Sequence, residues 1–258
     1  MPRILFWNIN KLDLSAKLSS LCDSYDPDVL ILAESKIEDS ALLRTLNNGK
    51  ERVFFNGLNI SKRIKFYSKY PADRFLPILD DNYFSVRQVI PYLGPPILLV
   101  AVHLPSKLHA EPTDQMIEAQ YLAKTIRSTE SERIIFNTVA IGDFNMSPFE
   151  DGMVAANGMH AVLDRNIARK RDRIVKGRKY SFFYNPMWGM LGDLTQGPPG
   201  THKYSKAVDV NHFWHTFDQL LIRPDLIKYF SPENIEVIEE NGSDHFPLFL
   251  NLTTETPL

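Results

Sequence analysis

Eight polar residues interrupt or close otherwise apolar stretches of this 258-residue chain: Asn8, Glu34, His103, Asp143, Asn145, Asp218, Asp244 and His245. They supply four carboxylates, two amides and two imidazoles. Each stands at, near or within a run that reads as a strand, and open sheets place ligand sites beside strand ends. If those rims coincide, one pocket gathers all eight. Two carboxylates ~4 Å apart repel by about 4 kcal/mol at an effective dielectric of 20, so four cannot all stay ionised without a cation or a raised pKa. No Lys or Arg lies within two positions of Asp143, Asp218 or Asp244, and only Lys36 follows Glu34 closely. A divalent ion is the economical neutraliser, and oxygen donors without thiols suit Mg²⁺ or Mn²⁺. Mg²⁺ leaves coordination positions open for phosphate oxygens, which points to phosphoester hydrolysis.

Taken singly, each residue has a plainer reading, since an acid at a strand end is a common cap or turn former. His212 and His215 read as hydrogen-bonded core histidines. The weight lies in the order and spacing of the set, and so in the elements that carry it.

"RILFWNI" (3–9) reads as a buried strand running into Asn8. Asp13 can cap an amphipathic helix over 14–25 with Leu14, Leu18, Leu21 and Cys22 on one face. "PDVLILAES" (27–35) is a second strand ending at Glu34, and 38–47 reads as helix. "RVFFNGL", "IKFYSKY" and "YFSVRQVI" predict an antiparallel meander. "PPILLVAVHLPS" (95–106) closes on His103, a long helix over about 113–130 follows, and "RIIFNTVAIGDFN" runs into Asp143 and Asn145. "SPFE" (147–150) has the pattern of a capping box opening a short helix. Residues 157–212 read as irregular, and "TFDQLLI" (216–222) and "HFPLFLNL" (245–252) as strands. Hairpin joins and helical crossovers both occur. The expected fold is an α/β sandwich of four layers, two mixed sheets face to face with helices outside, in one domain over 1–258.

Composition is ordinary for a globular chain, 44% hydrophobic and 23% charged with a net charge of −2, which gives no global attraction to nucleic acid. The single cysteine, Cys22, excludes an intrachain disulfide and reads as a buried apolar residue. No signal peptide pattern and no run long enough to span a membrane is seen, so a cytoplasmic location is expected.

"FWNIN" (6–10), "DPDVLILAESK" (26–36), "VAVHLPSK" (100–107), "IGDFNMSP" (141–148), "TFDQLLI" (216–222) and "GSDHFPLFLNL" (242–252) occur in one order. In that order the chain resembles the endonuclease/exonuclease/phosphatase superfamily. The resemblance implies Glu34 as principal metal ligand with Asn8 and Asp244 close by. It implies that Asp143 holds or deprotonates the attacking water and that Asn145 orients phosphate and nucleophile. His245 would contact the scissile phosphate as base or electrostatic clamp, oriented by Asp218, and His103 would help the leaving group or bind phosphate. The chain departs from the AP endonuclease pattern: Ala33 stands where that branch puts Gln, and "NINKLDL" replaces its Gly-Arg element. "HLPSK" is closer to the phosphodiesterase and deadenylase branches.

Beyond the core motifs, "RNIARKRDRIVKGRK" (165–179) holds eight Lys or Arg in fifteen residues. A solvated face is the plain reading. As a functional element, Arg169, Lys170, Arg171 and Arg173 would track a phosphate backbone beside the catalytic rim, with Trp188 and Trp214 stacking on bases. The expected activity is therefore a Mg²⁺- or Mn²⁺-dependent nuclease for DNA or RNA. The alternatives are a phosphatase or phosphodiesterase of a small phosphorylated metabolite or lipid headgroup, and a non-catalytic nucleic-acid-binding module.

Overall fold

The computed structural model describes residues 1–107, 111–204 and 213–253; His212 lies outside them. Along the chain run β1 (Arg3–Asn8), α1 (Ser15–Tyr25), β2 (Val29–Ala33), α2 (Asp39–Asn47), β3 (Phe55–Asn56), β4 (Ile64–Ser68), β5 (Phe75–Asp80), β6 (Phe84–Val89), β7 (Ile97–His103) and α3 (Pro112–Arg133). Then follow β8 (Thr138–Asp143), α4 (Asp151–Val154), β9 (Ala161–Val162), α5 (Arg165–Ala168), β10 (Asp172–Val175), β11 (Arg178–Ser181) and β12 (Phe183–Tyr184). The last are β13 (His202–Lys203), β14 (Trp214–His215), β15 (Asp218–Ile222), β16 (Ile235–Val237) and β17 (Leu248–Asn251).

Two large mixed sheets form. One has the order β16-β17-β1-β2-β4-β3 and the other β5-β6-β7-β8-β15-β12-β9, while β10-β11 and β13-β14 are separate hairpins. Why the central strands read as unbroken apolar runs is plain from their two faces. Along β1, Ile4 and Phe6 enter the core between the sheets, where Leu99, Ala101, Val139, Ile141 and Leu220 meet them from the second sheet. Leu5 and Trp7 point the other way, onto Leu18 and Leu21 of α1 and Leu42 and Leu46 of α2. The second sheet repeats the scheme, with Leu98, Val100, Val102 and Ala140 packed on Leu122, Ala123 and Ile126 of α3. Helix, sheet, sheet and helix are the four layers expected. Cys22 is buried on the inner face of α1, and burial pushes its thiol up to about 12, as befits an inert core residue.

The structure corrects four local expectations. The meander is divided: β3 and β4 belong to the first sheet and β6 to the second, with β5 between them in the chain. β5 was hidden by Pro77, which is tolerated because β5 is an edge strand whose register with β6 shifts between Pro77 and Leu79. "SPFE" closes a turn in which Ser147 N–H donates to Glu150 Oε1 (2.8 Å), and the helix starts only at Asp151. Within 157–204, six short strands and helices and a 3₁₀ turn at Pro186–Met190 form where irregular chain was expected. They are too short for hydrophobic period to reveal.

Candidate active site

Strand register brings half of the polar set to one rim. β7 and β8 are parallel with His103 opposite Asp143, and β15 is antiparallel to β8 with Asp218 opposite Asp143. In the first sheet, β1 and β2 are parallel with Asn8 opposite Ala33, so Asn8 and Glu34 leave the sheet at the same end. Trp7 Nε1 donates to the His245 carbonyl (2.8 Å) and Ser243 Oγ donates to the Asn8 carbonyl (2.8 Å), which seats the "SDH" segment against β1. One hydrogen bond joins the two sheets here: Asn8 Nδ2 donates to Asp143 Oδ2 at 3.1 Å.

The rim is held by backbone that few residues adopt. A Cβ at Gly142 would stand 2.0 Å from the Val102 carbonyl oxygen, so only glycine lets β8 approach β7 next to Asp143. Glu34 and Asn145 sit at φ 52° and 51°. Asn tolerates that region, whereas for Glu it costs roughly 1–2 kcal/mol. Glu34 is pinned there by Lys11 N–H donating to its carbonyl (3.0 Å) and by its own N–H donating to Arg63 O (3.0 Å). Asn145 N–H donates to Asp143 Oδ1 (2.9 Å), and its Nδ2 donates to Leu104 O (2.9 Å). Strain kept at such a place is typical of functional sites.

His245 Nδ1 is 2.8 Å from Asp218 Oδ2, and both side chains are buried. Burial raises Asp218, against the opposing pull of the imidazole. For His245, burial works downward, but Asp218, Asp143 and Asp244 outweigh it and carry the ring up to about 10. The proton therefore rests on the imidazole. Its Nε2 stands 3.9 Å from Asp143 Oδ2, beyond hydrogen-bond range. His103 Nε2 lies 3.4 Å from Glu34 Oε1 and 3.9 Å from Asp143 Oδ2. His103, then Lys11 (Nζ–Oε2 3.2 Å), hold Glu34 down at about 2 against burial. Asp244 is lowered despite burial, chiefly through His202 and His245, and Asn10 Nδ2 donates to its Oδ1 at 3.1 Å.

These donors fit a hard dication. The Asp143 and Asp218 carboxylates come within 4.8 Å of each other and of the His245 ring, and Asp244 comes within 4.8 Å of His202 and of that ring. Two carboxylates at that separation repel by roughly 3.5 kcal/mol at a dielectric of 20. Asp218 Oδ1 is buried with no hydrogen-bond partner among the described residues. The carboxylate and amide oxygens gathered here, without thiol, are the set that hard divalent ions take.

The model of the endonuclease/exonuclease/phosphatase family matches residues 5–245. The chain belongs to that family. Solved structures share the fold of this family member across nearly their whole length. The human Nocturnin catalytic domain with bound sulfate anion has a TM-score of 0.56 at 16% identity, covering 96% of this chain and 93% of that one. Truncated Caenorhabditis elegans TDP2 gives 0.56 at 15%, covering 97% and 98%. D. rerio TDP2 complexed with single strand DNA product gives 0.52 at 16%, covering 96% and 97%. No curated protein matches the chain.

The substrate residues expected from the basic run are not at the catalytic rim. β15 carries the chain from Asp218 at the rim to Ile222 at the other end, about 13 Å away at 3.3 Å per residue. Just beyond, the Arg223 guanidinium donates to Ser181 O (3.1 Å) and Phe182 O (2.9 Å). Phe182 N–H donates to Arg171 O, and Arg171 pairs with Asp225 at 2.5 Å. Arg169, Lys170, Arg171 and Arg173 therefore sit at the far end of the sheet. Closeness in sequence to "YSFFYNPMW" misled because β12 runs antiparallel to β15.

Trp188 follows Asn185, whose Nδ2 donates to Gln219 Oε1 (2.8 Å) next to Asp218, and its ring lies 5.9 Å from Phe149. Trp214 packs 5.2 Å from Phe246, with Lys203 Nζ 5.3 Å over its ring. His215 stacks on Phe217 at 4.7 Å.

Sequence reasoning missed three residues of the rim. His202, inside "GPPGTHKY", is brought against His245 by a backbone bridge, with ring centroids 4.6 Å apart. Thr201 Oγ1 accepts from the Asp218 N–H at 2.9 Å. Lys11 folds back on Glu34 through a turn in which Asn10 and Lys11 have φ 44° and 64°. The "Asn-x-Asn-Lys" step after β1 was the available signal.

Proposed function

We propose that this chain is a divalent-metal-dependent phosphodiesterase acting on a polynucleotide, DNA or RNA. The observation that carries it is the Asp218–His245 dyad facing Asp143 Oδ2 at 3.9 Å, with Asn8 tying the two sheets together beside it. Glu34, Asn8 and Asp244 are the residues that would hold Mg²⁺ or Mn²⁺, which when bound supplies Lewis acidity to a phosphoryl oxygen. Asp143 Oδ2 orients the attacking water and takes its proton. Phosphorus gains the water oxygen and loses the bond to the leaving oxygen. His245 donates Nε2–H to a non-bridging oxygen as charge grows there, with Asp218 fixing the ring. His103 protonates the leaving oxygen, and Asn145 aligns the phosphate. The DNA product in the D. rerio TDP2 complex and the sulfate in Nocturnin support a site of this fold that receives phosphate-like anions. Trp188 and Trp214 would stack on bases flanking the scissile group.

A second reading is a phosphatase or phosphodiesterase of a small phosphorylated molecule, favoured by the distance of the basic run from the rim. Single- and double-stranded DNA and RNA, offered with Mg²⁺, Mn²⁺ or EDTA beside a small aryl phosphodiester, separate the two. Cleavage of a polynucleotide that EDTA abolishes is expected. Turnover of the small ester alone would establish the second reading, and turnover of nothing would end both.

A further inference from the structure

The basic run, removed from the rim, builds a cleft of its own. β10 and β11 join through Lys176 and Gly177, at φ 48° and 75°, the positive-φ pair of a two-residue hairpin turn. The register sets Arg173 opposite Tyr180, Val175 opposite Arg178, Asp172 opposite Ser181 and Ile174 opposite Lys179. Side chains alternate across a ribbon. Arg173, Val175, Arg178 and Tyr180 therefore share one face, while Asp172, Ile174, Lys179 and Ser181 share the other. The hairpin's acid, Asp172, pairs with Lys179 at 2.9 Å on that other face. The first face keeps its cations and has no carboxylate.

That face closes a cleft of about 520 Å³ against Ala156 and Asn157, lined also by Arg173, Lys176, Arg178 and Tyr180. Arg173 is fixed in place without losing its charge: its Nε donates to Nε2 of buried His160 at 2.8 Å, and the ring's Nδ1 faces Ser181 O at 3.2 Å. Burial, with Arg173, Arg223 and Arg127 nearby, presses His160 down to about 4, so the anchor is neutral. A carboxylate in its place would have cancelled the guanidinium. Arg127 adds another cation, 5.8 Å from the Tyr180 ring. Lys176 and Arg178 make no ion pair among the described residues.

We infer that this cleft is an anion site, separate from the catalytic rim, that takes a phosphate carried beside a flat ring: a nucleotide, free or within a strand. Arg173, Arg178 and Lys176 would meet the phosphate, Asn157 would supply neutral hydrogen bonds, and Tyr180 would form the flat wall. The hydrolase reading is not needed for it.

Binding in EDTA tests it without any turnover, using ATP, inorganic phosphate and a fluorescent single-stranded oligonucleotide as separate probes. Lys176→Ala/Arg178→Ala removes side chains that anchor nothing, and Arg173→Gln tests the fixed guanidinium; equal melting temperatures confirm folding. At least a tenfold loss of ATP affinity in the double variant marks a site for free nucleotide. A tenfold loss for the oligonucleotide, with a salt slope shallower by about 1.4 for two lost single-strand contacts, marks a strand path. Unchanged affinity for all three probes overturns the inference. So does an equal loss of small-ester turnover in the double variant, since the cleft would then not be separate from the rim.

Discussion

Two buried histidines stand at opposite ends of the second sheet and are driven in opposite directions. At the rim, His245 faces Asp218, Asp143 and Asp244, which overcome burial and lift it to about 10. At the far end, His160 is ringed by Arg173, Arg223 and Arg127, and burial and those cations press it to about 4. Burial is common to both, so the sign of the neighbouring charge decides the outcome. One end of the molecule is an excess of carboxylate that calls for a cation. The other gathers three guanidiniums, Arg127, Arg173 and Arg223, against one buried carboxylate, Glu130, and that surplus calls for an anion.

The sharpest way to break this contrast is to remove one charge at the rim. Asp143→Asn keeps the shape and should lower turnover by about a thousandfold or more, the range for a lost base together with lost positioning. Lys176→Ala/Arg178→Ala should leave small-ester turnover within about twofold. Stability separates the rim residues further. Asp143→Asn relieves repulsion and should leave the melting temperature unchanged or higher. His245→Leu strands the buried Asp218 carboxylate and should cost about 3–5 kcal/mol, read by chemical denaturation. Equal melting temperatures for the two variants would mean that Asp218 is not charged in the folded chain.

How far the sequence led depends on what carried each feature. Asn8, Glu34 and Asp143 were legible because each closes a strand apolar on both faces and stands out against Ile4–Trp7, Val29–Ala33 and Val139–Ile141. His202 was not, since its place comes from a β13–β14 pairing between two residues on each strand and a bridge to His245. Lys11 was missed because an exposed turn, not a periodic element, delivers it to Glu34. The basic run was recognised but misplaced. Nothing in 165–179 encodes that β12 returns toward the rim from the far end, because direction is set by pairing with β15, many residues later.

At the far end the contrast yields a pH dependence. The folded His160 binds its proton only near pH 4, while the unfolded residue does so near 6.5. Between those values the unfolded chain holds the extra proton, so stability falls as pH drops from about 6.5 to 4, by about 3 kcal/mol in all. His160→Gln should be less stable at pH 7 and lose less on acidification, so its deficit should shrink by pH 4. Denaturation midpoints at pH 7, 5.5 and 4 read this directly. Parallel curves for both proteins would show that His160 is not held neutral.

The smallest effects come from matched exposed ion pairs, one at each end. Lys11 pairs with Glu34 at 3.2 Å and Arg171 with Asp225 at 2.5 Å, and more than half of each cation's side chain is open to solvent. Screening limits each to under about 1 kcal/mol, so Lys11→Ala and Arg171→Ala should be nearly indistinguishable in melting. They should differ in one respect. Lys11 Nζ competes for the Glu34 oxygen that a dication would take, so Lys11→Ala should bind Mn²⁺ a few-fold more tightly by paramagnetic resonance, while Arg171→Ala should not change that affinity. If Lys11→Ala instead weakens Mn²⁺, the lysine positions Glu34 for the ion rather than standing in its place.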